Sequence, residues 1–290
     1  MSDPALPRQL PPAQAELLTE LADLLQTHEL VVYGGAALDL LADPHRAGHD
    51  VDVAIVGLAQ AWRCRSRLLV HPEVSELSAP REYWIRLDQP VVMFDVEWRG
   101  RVLDLNFVET LDGIGHFDVE CVRWHHPSAT YVDPHGVLTS LPVRDAGLVS
   151  EIESENPLLL LNRAVRLAAK YGIDLEGTGR LAAALPALVT AAGRWASSDD
   201  FHGRQAEHAH TRALAGAVQR AADPEQFLAQ CLRTGVVDCR YPALADVLRR
   251  DEGALGRLAS TLSYDEFWSA AEALGQCQSL HDANHLGGTW

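Results

Sequence analysis

Two periodicities divide the chain. In the first half, short apolar runs are cut by glycine, proline and charged residues; in the second, apolar residues recur every three or four positions. Between Pro12 and His28, Leu17, Leu18, Leu21, Leu24 and Leu25 keep a helical period and predict a helix. Leu30-Val31-Val32-Tyr33 is a short apolar run ended by Gly34-Gly35, the pattern of a buried strand and a tight turn. A second helix is expected over Ala36–Leu41, closed by Asp43-Pro44. Asp50–Val56 alternates and then turns wholly apolar, as a strand entering a core does. Val91–Trp98 and Arg101–Val108 flank Arg99-Gly100 and predict a hairpin. Phe117–Trp124 and Ala129–Val132 read as further strands. Residues 1–11 are rich in proline and are expected to be disordered.

Near Asp145 the texture changes. Ala, Leu and Arg dominate from there, and the helical period returns in Leu158–Ala169, Arg180–Ala192, Ala206–Ala221 and Pro224–Leu232. The expected fold class is α+β: a mixed-sheet head domain over residues 1–144, then a helical domain over residues 145–290. No internal repeat is visible.

Composition narrows the function classes. With 290 residues, 47% hydrophobic and 22% charged, the chain is globular and excludes collagen-like or low-complexity architectures. Against 40 acidic residues stand 24 basic ones, a net charge of −16. Such a field repels phosphate backbones, so broad, sequence-blind binding of nucleic acid is disfavoured. No apolar run approaches the ~18–20 residues of a membrane span, and the N-terminus lacks the basic and apolar regions of a signal peptide. The five cysteines, Cys64, Cys121, Cys231, Cys239 and Cys277, are odd in number and form no CxxC pair. They point to a reducing compartment, so a cytoplasmic location without a membrane partner is expected.

The strongest chemical signal is Asp50-Val51-Asp52. On a strand, residues i and i+2 point to one face with side chains ~7 Å apart. Two carboxylates that close repel each other unless a cation lies between them, and hard oxygen donors suit Mg²⁺. About fifteen residues upstream, Gly34-Gly35 ends a strand and opens a helix, where backbone N–H groups and the helix N-terminus favour an anion. A triphosphate-binding turn beside two metal-binding carboxylates is the apparatus of metal-assisted nucleotidyl transfer. A third acid completes such a site. Asp104 is the best candidate, because it interrupts an apolar strand where a lone carboxylate is costly; Asp95 and Glu97 on the partner strand compete for the role.

Taken together these segments resemble the head domain of the poly(A) polymerase and tRNA CCA-adding nucleotidyltransferase family, within the DNA polymerase β superfamily. That family carries a strand, then GG-aliphatic-x-R-D-x-LL, then a DxD strand. The matching residues here are Val31–Leu41, with Gly34, Gly35 and Asp39, and then Asp50-Val51-Asp52. Tyr131–Val137 is similar to the family's V-D-P-F-G-G segment, and Asn162–Gly172 to its L-R-A-V-R-F-A-A-R-L-G helix. Leu232–Val237 and Tyr241–Leu244 are similar to a helical L-x-x-T-G-L-L…P-E-L piece. Order and spacing agree over roughly residues 29–245.

The resemblance implies an enzyme of the nucleotidyltransferase class. It would move a nucleoside monophosphate from ATP or CTP to an acceptor, releasing pyrophosphate. It further implies that Asp50, Asp52 and Asp104 hold two Mg²⁺ ions, that Gly34 and Gly35 cradle phosphates, and that Asp39 holds the glycine turn. Arg163 and Arg166, three apart on one helix, would face the nucleotide and offset its charge. The departures concern the acceptor. The family's arginine before Asp39 is Leu38 here, its R-R-D-F-T-I-N segment survives only as Gly115–Cys121, and its base-selecting Glu-Asp-x-x-Arg has no counterpart in Arg180–Ala192. With the acidic balance, these favour a small-molecule or protein acceptor over an RNA 3′-end, although family membership favours RNA. A non-catalytic nucleotide-binding regulator is the rival of a different class.

The thirteen histidines raise a metal-site alternative. His208 and His210 lie ~200° apart on a helix and cannot share one ion. His281 and His285 have an i, i+4 spacing that could bind metal, without the Glu of an HExxH arrangement.

Overall fold

The structure, a computed structural model, describes residues 10, 12–27, 29–42, 50–86, 89–111, 114–152, 156–195, 201–239, 241–261 and 263–273. The expectations for residues 1–9, for Asp43-Pro44 and for His281 and His285 lie outside them, as do the side chains of Asp50 and His208. The chain forms two compact units, Met1–Val143 and Arg144–Trp290.

The first unit runs α1 (Pro12–Leu25), β1 (Leu30–Tyr33), α2 (Gly34–Ala42), β2 (Asp50–Val56), α3 (Gln60–Leu68), β3 (Val74–Leu77), β4 (Arg81–Arg86), β5 (Gln89–Trp98), β6 (Arg101–Val108), β7 (Arg123–His125) and β8 (Thr130–Val132). The eight strands form one sheet in the order β3-β5-β6-β2-β1-β7-β8, with β4 also pairing to β5. On the β5 edge away from β6, β3 meets Val96–Trp98 and β4 meets Gln89–Met93. Only β2 and β6 run parallel among these pairs; the rest are antiparallel. The β5–β6 hairpin turns at Arg99-Gly100, both with positive φ (52° and 71°), as a two-residue hairpin turn requires. Arg99 is fixed there by ion pairs to Glu20 and, at 2.8 Å, to Glu73.

Burial explains why these segments became strands. Leu30, Val31 and Val32 of β1, Val53, Ala54 and Ile55 of β2, and Leu103, Leu105 and Phe107 of β6 are all solvent-free. Phe94 of β5 stacks on Phe107 with ring centroids 5.2 Å apart. Near-continuous apolar runs of this kind mark the centre of a sheet.

Besides the edge strands β3 and β4, which the pattern did not predict, two parts of the first unit differ from the pattern reading. Phe117–Trp124 is not one strand: residues 118–121 make a 3₁₀ turn, and only Arg123–His125 pairs as β7. The Glu120 carboxylate accepts the backbone N–H groups of His116 (2.9 Å) and Phe117 (3.2 Å), which closes a turn where alternation suggested extension. The apolar residues of that segment, Phe117, Val119, Cys121 and Val122, are buried all the same. The second difference is α3, whose Gln60–Leu68 run is too arginine-rich to show an apolar stripe. Its inner face needs only Ala61, Cys64 and Leu68, a sparse i, i+3, i+7 set.

The second unit contains α4 (Pro157–Tyr171), α5 (Arg180–Trp195), α6 (Phe201–Arg220), α7 (Pro224–Arg233), α8 (Pro242–Arg250), α9 (Glu252–Ala259) and α10 (Tyr264–Ala273). Helix α4 packs against α5 and α6. It starts where the Asn156 side chain accepts the N–H groups of Leu158 and Leu159, with Pro157 in the first turn, and stops at Gly172 in a left-handed conformation. Inside, His210 of α6 is buried with its Nδ1 2.5 Å from Asn162 Oδ1 of α4. Burial pushes His210 down to about 4, so the ring is neutral at pH 7 and braces two helices.

Candidate active site

The site is built where three strands lie side by side. Parallel pairing of β2 with β6 sets Asp52 directly across from Asp104, and antiparallel pairing of β5 with β6 sets Asp95 across from Asp104 on its other side. Residues paired across neighbouring strands share a face. Asp52, Asp104 and Asp95 therefore form a lateral row of carboxylates across β2, β6 and β5. Asp50 opens β2 one step along, in register with Val102, which in turn faces Glu97.

The row is not electrostatically uniform. Asp95 is ion-paired to Arg81 of β4 at 2.6 Å, and its backbone N–H donates to Ser78 Oγ at 2.8 Å. Asp104 has no such cation. Asn106 Nδ2 donates to its Oδ1 at 3.1 Å, a neutral partner two residues along the same strand. Burial, the Asp52 charge and the Asp95 charge together push Asp104 up to about 7, against the smaller opposing effects of Arg81 and the Asn106 hydrogen bond. Two carboxylates crowded this way could hold a hard cation such as Mg²⁺ between them. Among the described residues no set of three His, Cys, Asp or Glu side chains converges as a metal cluster. Asp52 and Asp104 supply two oxygen donors, and Asp50 stands next in line on β2.

Beside this row sits the glycine turn. The register of β1 on β2 pairs Val32 with Val53, so one further residue brings Tyr33 level with Asp52. Helix α2 thus begins at the end of the sheet that carries the carboxylates. Gly34 takes φ +64°, which a side chain would strain. Its N–H donates to Val122 O at 3.0 Å. Gly34 was expected to offer that N–H to a phosphate; the donor is already spent, so Gly34 shapes the turn instead. Gly35 follows as the second residue of α2, and Asp39 lies half-buried in its middle. The Tyr131 hydroxyl of β8 donates to Ala37 O at 3.3 Å, tying α2 to the sheet edge. Two residues on, Asp133 accepts the N–H groups of Val137 (3.0 Å) and Leu138 (2.7 Å), so the Asp-Pro-His-Gly segment is a capped turn.

Arg163 and Arg166 belong to α4 of the second unit, the first half-buried and the second exposed. Pattern reading missed Arg81 and Asn106. Asn106 left a trace, a polar residue two after Asp104 in an apolar run. Arg81 left none, because its pairing depends on how β4 registers against β5.

No family model matches the sequence, and no curated protein matches it. Solved structures do. A structure titled "tRNA-processing enzyme (apo form I)" superposes with TM-score 0.56 at 15% identity, over 97% of this chain and 79% of that one. A CCA-adding enzyme in complex with ATP gives TM-score 0.59 at 14% identity, over 96% of this chain and 65% of that one. A further CCA-adding enzyme, without ligand, gives 0.55 at 12% identity. The chain has the nucleotidyltransferase fold of the CCA-adding enzymes. It also spans only about two thirds of the ATP-bound enzyme's length. In this chain the strand pair β2–β6 sets Asp52 across from Asp104, and the first turn of α2 opens at the same end of the sheet.

Proposed function

We propose that the chain is a metal-dependent nucleotidyltransferase that moves a nucleoside monophosphate from ATP or CTP to a small-molecule or protein acceptor. One observation carries the reading: Asp52 and Asp104 oppose each other across parallel strands, with Asp104 driven up to about 7 by burial and by its neighbour's charge. A fold built for structure alone gains nothing from that repulsion. The ligand set would be Asp50, Asp52 and Asp104, and Mg²⁺ bound there would neutralise the triphosphate and acidify the acceptor hydroxyl or amine.

The chain's own residues do the rest. The carboxylate row would fix where the α-phosphorus sits, and Arg81 keeps Asp95 engaged while Asp104 is held only by the neutral Asn106 amide. The N-terminal turn of α2 lends its partial positive charge to the leaving phosphates. The acceptor's oxygen or nitrogen bonds to the α-phosphorus, the bond to the β-phosphate bridging oxygen breaks, pyrophosphate leaves and the acceptor's proton passes to solvent. The acidic balance of the chain supports an acceptor that is not a polyanion.

The test is transfer of α-³²P from each of four labelled NTPs, with Mg²⁺ and a cell extract divided into RNase-treated and untreated halves. Label that survives RNase and disappears with Asp52→Asn is the expected result. Label only in the untreated half assigns an RNA acceptor, and no label from any NTP overturns the enzymatic reading.

A further inference from the structure

The outer face of α3 is chemically unusual for this chain. From Val53 to Pro72 there is no Asp or Glu, in a protein that carries 40 of them, while Arg63, Arg65 and Arg67 fall inside that stretch. The inner face of α3 is accounted for: Ala61, Cys64 and Leu68 are buried, and α3 packs on α1 and β5. Arg67 Nη1 donates to Leu25 O at 2.6 Å and Cys64 Sγ to the same carbonyl at 3.5 Å, pinning α3 to the end of α1.

The outer face has no such account. Trp62 is 55% exposed, Leu69 58% and Val70 83%, three large apolar side chains on the surface of one unit. Trp62, Ser66 and Leu69 stand at i, i+4 and i+7 and form one ridge, and Val70 follows just past the helix end. Arg63 and Arg65 flank that ridge on opposite sides. Neither makes an ion pair among the described residues, so both guanidinium groups are left to meet an acidic partner. Tryptophan and arginine around an apolar centre is the composition of a protein-binding hot spot.

We infer that the outer face of α3 is a docking surface for a partner polypeptide segment that presents apolar side chains between acidic ones. Charge complementarity selects the acidic flanks, since two arginines without carboxylate partners sit at the edges. The apolar ridge selects a polypeptide over a nucleic acid: Trp62 could stack on a base, but Leu69 and Val70 offer nothing to bases or phosphates. The inference is independent of nucleotide transfer and goes beyond it.

The experiment pans a phage library of random dodecapeptides against the full chain, with counter-selection on a Trp62→Ser/Arg63→Glu variant whose melting temperature matches the wild type. The winning peptides are then titrated by fluorescence anisotropy, beside labelled oligouridylate and phosphatidylglycerol vesicles. The expected result is enrichment of peptides mixing Asp or Glu with Leu, Ile or Phe, with affinity falling at least tenfold in the variant and in a separate Arg65→Glu chain. No enrichment overturns the inference, as do peptides that bind the variant equally. Variant-sensitive binding of oligouridylate or vesicles that exceeds the peptides' affinity also overturns it, by giving the face to nucleic acid or lipid.

Discussion

Asp52 and Asp104 face each other across the one parallel strand pair in the described sheet, and the neighbour that could have neutralised Asp104 is engaged elsewhere. Arg81 reaches Asp95, one strand farther out, at 2.6 Å. The sheet therefore holds an ion pair at its edge and a repelling pair nearer its centre. This asymmetry separates a carboxylate held in an ion pair, Asp95, from one that its neighbours crowd, Asp104.

Removing that repulsion should stabilise the protein while removing its activity. Asp104→Asn keeps the shape and relieves a buried, crowded charge. Melting in metal-free buffer at pH 7.5 should rise by ~2–4 °C, the shift expected for about 1 kcal/mol in a domain of this size. Label transfer should fall by ~10³-fold or more, since the ligand set is broken. A variant that melts lower and still transfers label would remove Asp104 from the site.

The same residue sets a pH signature. Asp104 is raised from an ordinary carboxylate value to about 7, so between about pH 4 and 7 the folded chain holds a proton that the unfolded chain has released. Its contribution to stability is fully present below the unfolded value and is lost as pH rises through about 7. Metal-free melting curves should show that loss, and the Asp104→Asn variant should not. Proton competition also predicts that Mn²⁺, used as a spectroscopic stand-in for Mg²⁺, binds ~10-fold more weakly at pH 6 than at pH 8. Titration calorimetry measures it directly.

Much of this was legible in the sequence for a physical reason. The strands at the sheet centre bury most of their apolar residues, so β1, β2, β5 and β6 announced themselves as apolar or alternating runs. Asp52 and Asp104 stood out because each interrupts such a run. What stayed hidden depended on pairing between distant segments. The register that aligns Asp52 with Asp104 cannot be read from either strand alone, and β4, which delivers Arg81, is a short edge strand whose pairing to β5 decides what Arg81 meets. The 3₁₀ turn at residues 118–121 was misread because its closure depends on one carboxylate, Glu120, while its apolar residues alternate as a strand's would. Helix α3 was missed because three arginines mask a buried face of only three residues.

In the second unit, His210 carries a pH dependence of opposite sign. Burial holds its ring at about 4, so from pH 6.5 downward the unfolded chain takes up a proton that the folded chain refuses. Stability is present above the unfolded value and is lost as pH falls from about 6.5 to 4. His210→Gln, which cannot ionise and can still donate to Asn162, should flatten that limb. The check is chemical denaturation at pH 7, 6 and 5: the wild-type midpoint should drop more than the variant's. Equal slopes would show that His210 is protonated in the folded state.

Asn106 is the last position to test, because it touches the proposed ligand without being one. It is 2% exposed, and its Nδ2 donates both to Asp104 Oδ1 (3.1 Å) and to Asp104 O (3.3 Å). A hydrogen bond to a ligating carboxylate fixes which way its oxygens point, and loss of such a partner typically costs ~10–100-fold in metal affinity or activity. Asn106→Ala should therefore weaken Mn²⁺ binding and slow label transfer by a similar factor, while KM for the nucleotide changes little. Asn106→Ser, a smaller donor, should recover part of the metal affinity. If Asn106→Ala lowered the melting temperature but left the Mn²⁺ affinity intact, the amide would be a packing residue only. The orientation of Asp104 would then come from its strand and from Asp52.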